Sequence, residues 1–126
     1  MNDNISPGNV EGGISTILEK SIGASVKGGS SNIAQVLDFA ERISRKGLVV
    51  MNTPGFDPVA MTGLAAGGCN VGAFTTGRGS VYGCSIVPTL KIATNSGVFE
   101  RLRGDMDFNC GDIVHGRPLS EVGRSL

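Results

Sequence analysis

Thr75-Thr76-Gly77-Arg78-Gly79, at the end of the apolar run Val71 to Phe74 and followed by Tyr82-Gly83, concentrates groups able to hold an anion. A guanidinium presents a rigid fork of donors that matches a carboxylate, and flanking glycines let backbone N–H groups approach the same oxygens. With two threonine hydroxyls alongside, the stretch suits an oxygen-rich, negatively charged small molecule. A glycine-rich turn whose arginine pairs with a structural carboxylate is the competing reading. Asp57, Thr62 and Tyr82 complete the candidate set, although helix capping by itself is reason enough for an aspartate at 57.

Other chemistries are poorly served. Three cysteines at 69, 84 and 110 form no CxxC pair and read as reduced, buried thiols. His115 is the single histidine, which leaves no zinc pair and few options for a nucleophilic triad. Gly77, Gly79 and Gly83 miss the dinucleotide fingerprint because Tyr82 stands where a glycine is needed, and no Walker A lysine follows a glycine at the required distance. Asp105 and Asp107 have the chemistry for a hard cation, but two aspartates in a polar turn more often face water.

The elements that must position these residues follow from pattern. At 126 residues the chain is read as one domain, with a Gly-rich entry segment and helix over 1–30 and a βαβ core over 46–126. Ile14, Ile17, Leu18 and Ile22 keep helical spacing, Thr16 and Glu19 suit a capping box, and Gly23 ends the pattern. Over 33–43 the apolar residues fit a helix, with a short strand at 33–37 competing. Gly47 to Met51 is the kind of short apolar run that fills a buried parallel strand. Asp57 and Pro58 start a helix that Gly67-Gly68 closes, and Val71 to Thr75 is the next strand. Strand, helix and strand make a right-handed crossover, so the two strands are expected side by side, with Thr53–Asp57 and Thr75–Gly83 leaving one sheet edge. A strand at 90–93, a helix capped by Asn95 and ended by Gly104, a polar connection over 105–109 and a last helix at 119–125 complete the reading. The fold class is α/β: a small layered Rossmann-like or flavodoxin-like domain with a mainly parallel sheet.

Eleven basic residues balance eleven acidic ones, so no general field draws in nucleic acid or a membrane surface. No apolar run approaches the ~20 residues needed to span a bilayer. Met1-Asn2-Asp3-Asn4 lacks the basic start of a signal peptide, and the expected compartment is the cytoplasm.

Taken together, Gly8-Asn9, Gly12-Gly13, Glu19-Lys20, Lys46-Gly47-Leu48, Thr53-Pro54, Asp57, Phe74-Thr75-Thr76-Gly77-Arg78-Gly79, Tyr82-Gly83 and Val87-Pro88 resemble the altronate and galactarate dehydratases, a family of sugar-acid hydro-lyases. The similarity spans nearly the whole chain and corresponds to the C-terminal region of longer enzymes. It implies part of an enzyme that dehydrates an aldaric or aldonic acid to a 2-keto-3-deoxy acid, incomplete alone and joined to an N-terminal remainder in a homo-oligomer. It further implies a divalent metal, Fe²⁺ or Mn²⁺, with Glu19 and Asp57 as candidate ligands; the catalytic base remains unassigned. Substrate contacts then fall to Thr75, Thr76, Gly77, Arg78, Gly79, Tyr82, Asp57 and Thr62. The alternatives are a non-catalytic ligand-binding or oligomerisation module of such an enzyme, and a lyase for another 2-hydroxy acid such as sulfolactate.

Overall fold

A computed structural model describes residue 5 and residues 7–126; the Met1 to Asn4 segment lies outside the described residues. The chain is α/β and divides into two compact units, residues 1–36 with 45–50 and residues 37–44 with 51–126.

In the first unit, α1 (Pro7–Glu11) is a short turn of helix in the glycine-rich entry, followed by α2 (Ile17–Lys27). Thr16 caps α2 by accepting from the Glu19 N–H at 3.1 Å. The Glu19 carboxylate reaches back one residue further than a capping box requires, accepting from Ser15 N at 2.9 Å and Ser15 Oγ at 2.8 Å. Contrary to the sequence expectation, α2 passes through Gly23 and stops at Gly28. One glycine in an exposed helix costs about 1 kcal/mol, too little to end it when four more residues can extend the hydrogen-bond ladder. Of the two readings at 33–37, the strand is realised: β1 (Ile33–Leu37) pairs with β2 (Leu48–Met51).

Those Ser15 bonds, the main-chain one foremost and the hydroxyl second, pull the Glu19 carboxyl below the usual carboxylate range against a smaller opposing effect of desolvation. A depressed folded pKa means the contribution is present above the unfolded value and lost as pH falls through the folded one. Acidification below the ordinary carboxylate range is therefore expected to fray the first turn of α2. Amide exchange at Ser15 and Glu19 should accelerate there, and in Glu19→Gln this pH dependence should vanish.

The second unit carries α3 (Asp57–Gly67), β3 (Gly72–Thr76), β4 (Thr89–Ala93), α4 (Ser96–Arg101), β5 (Phe108–Asn109), a 3-10 turn at Gly111–Ile113 and α5 (Leu119–Ser125). Helix α3 begins one residue earlier than expected. Phe56 is its N-cap and Asp57 its first residue, so Asp57 makes no capping bond and only adds negative charge to the first turn. Gly68 closes α3 with φ 112°, a left-handed conformation that glycine adopts without strain. One face of α3 is smooth at Gly63 and Gly67. A Cβ at Gly63 would lie 2.8 Å from Phe39 Cδ2, and one at Gly67 would lie 2.5 Å from Met51 Cε, so both side chains pack where only hydrogen fits.

Between them the chain turns at Ala40, the one non-glycine residue among those described with positive φ, 63°. An L-residue pays ~1–2 kcal/mol there, and glycine returns ~0.4–1 kcal/mol of that through unfolded-chain entropy. Ala40→Gly is expected to stabilise by about 0.5–1 kcal/mol, read as a raised urea midpoint at unchanged slope.

The sheet order corrects the expected crossover. β2 pairs with β1, while β3, β4 and β5 form a separate three-stranded parallel sheet, with Thr76 opposite Ala93 and Ala93 opposite Asn109. The β4–α4–β5 segment is the crossover unit with paired strands. Its core is Ala93, Val98 and Met106, with Phe99 and Leu102 packed against it. β5 occupies part of the stretch expected to be connection, because two residues carry too little pattern to announce a strand.

Candidate anion site at the carboxyl edge of the parallel sheet

All three strands of the second sheet run the same way, so Thr76-Gly77-Arg78, Thr94-Asn95-Ser96 and Asn109-Cys110-Gly111 emerge from one edge. Open α/β sheets bind ligands at that edge. The connection from β3 to β4, residues 77–88, holds no helix or strand. A structureless connection of this length in a compact unit is commonly functional.

Among the described residues, side chains hold the backbone of its first part. Thr76 Oγ1 accepts from Gly79 N at 3.0 Å and more weakly from Arg78 N at 3.4 Å. Asn95 works twice: its Oδ1 accepts from Val98 N at 2.9 Å and caps α4, and its Nδ2 donates to Gly77 O at 2.8 Å. Arg101 Nη2 donates to Arg78 O at 3.1 Å, and Lys91 Nζ to Ser80 O at 3.3 Å. Gly79, at φ 96°, brings its backbone against the Leu102 side chain, where a Cβ would clash. The loop is thereby pinned to β4 and α4 while its outer face stays open.

Arg78 projects from this fixed loop. Its side chain is exposed, and among the described residues the guanidinium has no hydrogen-bond or ion-pair partner. The structural-carboxylate reading of Arg78 thus finds no support. Thr75 is exposed on β3, whereas Thr76 is half-buried and its oxygen already accepts within the turn. Tyr82 lies half-buried further along the loop; desolvation first, then hydrogen bonding to Cys84 and its charge, push the phenol pKa upward and keep it a neutral donor.

Asp57 and Thr62 lie on α3, not on a strand end of this sheet. Thr62 Oγ1 donates to Pro58 O at 2.7 Å, one turn back on α3. No hydrogen bond or ion pair among the described residues joins either to residues 75–83, and the two loops do not leave a common sheet. In their place the fold supplies Thr94, Asn95, Ser96, Asn109 and Arg101, which the reading of the sequence did not propose as site residues. Their signal was available: a polar triplet follows the apolar run 90–93, as a polar pair of threonines ends β3.

A metal finds no ligand set here. Among the described residues no three His, Cys, Asp or Glu side chains converge. Glu19 is engaged with Ser15, Asp107 Oδ2 accepts from Lys91 N at 2.7 Å, and Asp105 stands 4.0 Å from Lys91 Nζ. The described residues by themselves therefore do not supply a ligand set for a divalent ion. No helix among them is long and apolar enough to cross a membrane.

Comparison with known proteins is decisive for the family: residues 1–126 match the model described as D-galactarate/altronate dehydratase, C-terminal. The chain belongs to the galactarate/altronate dehydratase family. It is 46% identical over 117 residues to an altronate dehydratase of Bacillus subtilis, covering 90% of this chain and 23% of that protein. Against the altronate dehydratase of Escherichia coli the identity is 43% over 120 residues, 95% of this chain and 24% of the relative. For the galactarate dehydratase (L-threo-forming) of the same organism it is 41% over 124 residues, 98% and 24%. The chain thus spans about a quarter of the length of the curated relatives it matches.

Proposed function

We propose that this chain is the C-terminal portion of a hydro-lyase that removes water from an aldaric or aldonic acid to give a 2-keto-3-deoxy acid. The observation that carries the reading is the family match over the whole chain, at 41–46% identity to altronate and galactarate dehydratases. Loss of the proton beside a carboxylate builds an enediolate with two negative charges, and a fixed guanidinium lowers the cost of that charge. Arg78 is the group assigned to the carboxylate, with Thr75 and the strand-end hydroxyls and amides of Thr94, Ser96 and Asn109 reading sugar hydroxyls. Tyr82 serves as a neutral donor at the rim. Asp57 and Thr62 are not part of this grouping.

The portion is taken to be inactive alone. Its span of a quarter of the relatives' length supports that, as do the exposed Leu18, Ile22 and Val26 of α2, an apolar surface for the remainder of a longer enzyme to cover. A divalent ion, should the longer enzyme use one, would need ligands from outside the described residues.

The test is turnover by the longer enzyme that contains this chain. Galactarate, altronate and sulfolactate are offered separately, and the 2-keto product is detected by its semicarbazone absorbance. Product from either sugar acid sustains the reading. Product from sulfolactate alone, or from none of the three, refutes it.

A further inference from the structure

We propose that Arg101 is a second anion-binding residue beside Arg78, and that it takes the second carboxylate of a diacid. The identity of the ligand rests on the hydro-lyase reading; the paired cationic site does not.

Arg101 closes the last turn of α4, where a cation is favoured by the helix dipole. That preference explains a basic residue but not the direction of its head group. Nη2 points at Arg78 O, 3.1 Å away, so the guanidinium of Arg101 sits against the backbone of the loop that presents Arg78. The neighbouring acid cannot neutralise it, because both oxygens of Glu100 are taken by Arg103 at 2.7 and 2.8 Å. Neither Arg78 nor Arg101 is ion-paired among the described residues. A third cation that reaches this loop, Lys91 of β4, is 4.0 Å from Asp105 and commits its ammonium to Ser80 O. Two exposed guanidinium groups without a carboxylate partner, Arg78 on the pinned loop and Arg101 on α4 against its backbone, leave positive charge for an anion to neutralise. One donor of the Arg101 fork is committed to the loop and the rest remain free. Each guanidinium fork matches one carboxylate, and Arg101 is tied to the backbone of the loop that presents Arg78, so the site offers two such forks. Two forks suit a ligand with two carboxylates better than one with a single carboxylate.

The experiment compares wild type, Arg101→Met and Arg101→Lys in the longer enzyme, with galactarate (two carboxylates) and altronate (one). Arg101→Met is expected to raise KM for galactarate about ten-fold or more while altronate changes little, and Arg101→Lys to recover part of the loss. Equal losses for both acids would reduce Arg101 to a structural tie for the loop and overturn the proposal. So would unchanged KM for both acids, or a wild type that accepts altronate and not galactarate. If Arg101→Met does not fold, Arg101→Lys decides alone, since it keeps the charge but loses the fork and should weaken galactarate selectively. If the wild type dehydrates neither acid, the hydro-lyase reading falls by itself. Calorimetric affinities then replace KM, and the same loss confined to galactarate is required; absent or equal binding of the two acids overturns the Arg101 site.

Discussion

Gly111→Ala is expected to lower stability by about 3 kcal/mol, the upper part of the usual range for overpacking. A Cβ at this position would meet Ser96 N, lie 2.5 Å from Ser96 Oγ and 2.6 Å from Asn95 C. These are mostly main-chain atoms of the β4–α4 corner, and the corner has little room to retreat. Asn95 is held at both ends of its amide, by Val98 N and Gly77 O, and Cys110 N donates to Ala93 O at 2.8 Å just before the glycine. Relief must therefore break the α4 cap, the grip on the Arg78 loop or the last bond between β4 and β5. A domain holds only ~5–15 kcal/mol in reserve, so the urea midpoint should fall by a large fraction. Gly104→Ala is the control: nothing lies within 4 Å of its Cβ, and its midpoint should barely move. Similar shifts for the two variants would mean that the contact at Gly111 does not limit stability. The same substitution should also weaken substrate binding, because the corner carries Asn95.

Arg78→Gln is expected to lower kcat/KM of the longer enzyme about 100-fold with no change in its denaturation midpoint. The two halves of this prediction come from separate observations. Among the described residues the guanidinium has no hydrogen-bond or ion-pair partner, so its removal leaves no buried polar atom unpaired and costs the fold little. A charge-assisted hydrogen bond contributes ~1.5–3 kcal/mol, and a bidentate clamp on a carboxylate lies at the upper end, near two powers of ten in rate. Arg78→Lys keeps the charge but not the fork, and is expected to lose about ten-fold. Altered stability with intact kinetics would reassign Arg78 to the fold. Intact values of both would remove it from the site.

How far the chain could be read shows in individual residues. Thr16 and Asn95 are N-caps as their position before an amphipathic run indicates, and Gly68 closes α3 in the left-handed conformation. Such signals work because a cap is satisfied within three or four residues, so its determinants sit together in the chain. Gly23 misleads for the converse reason: its local penalty is small beside the gain from continuing α2. Asp57 misleads more subtly, since a shift of one residue in the helix start turns a cap into a first-turn charge.

By itself the sequence determined the Thr75-Thr76-Gly77-Arg78-Gly79 motif, the family, and where most helices and strands begin and end. The tertiary structure decided which strands pair and therefore which loops share an edge. β2 and β3 each look like buried parallel strands, but nothing in an apolar run names its partner. Pairing is chosen by packing between residues far apart in the chain, such as Phe39 and Met51 against the glycine face of α3 or Met106 beneath β4. That choice left the strand before Thr53–Asp57 out of the sheet that presents Arg78 and brought Asn95 and Arg101 to the Arg78 loop.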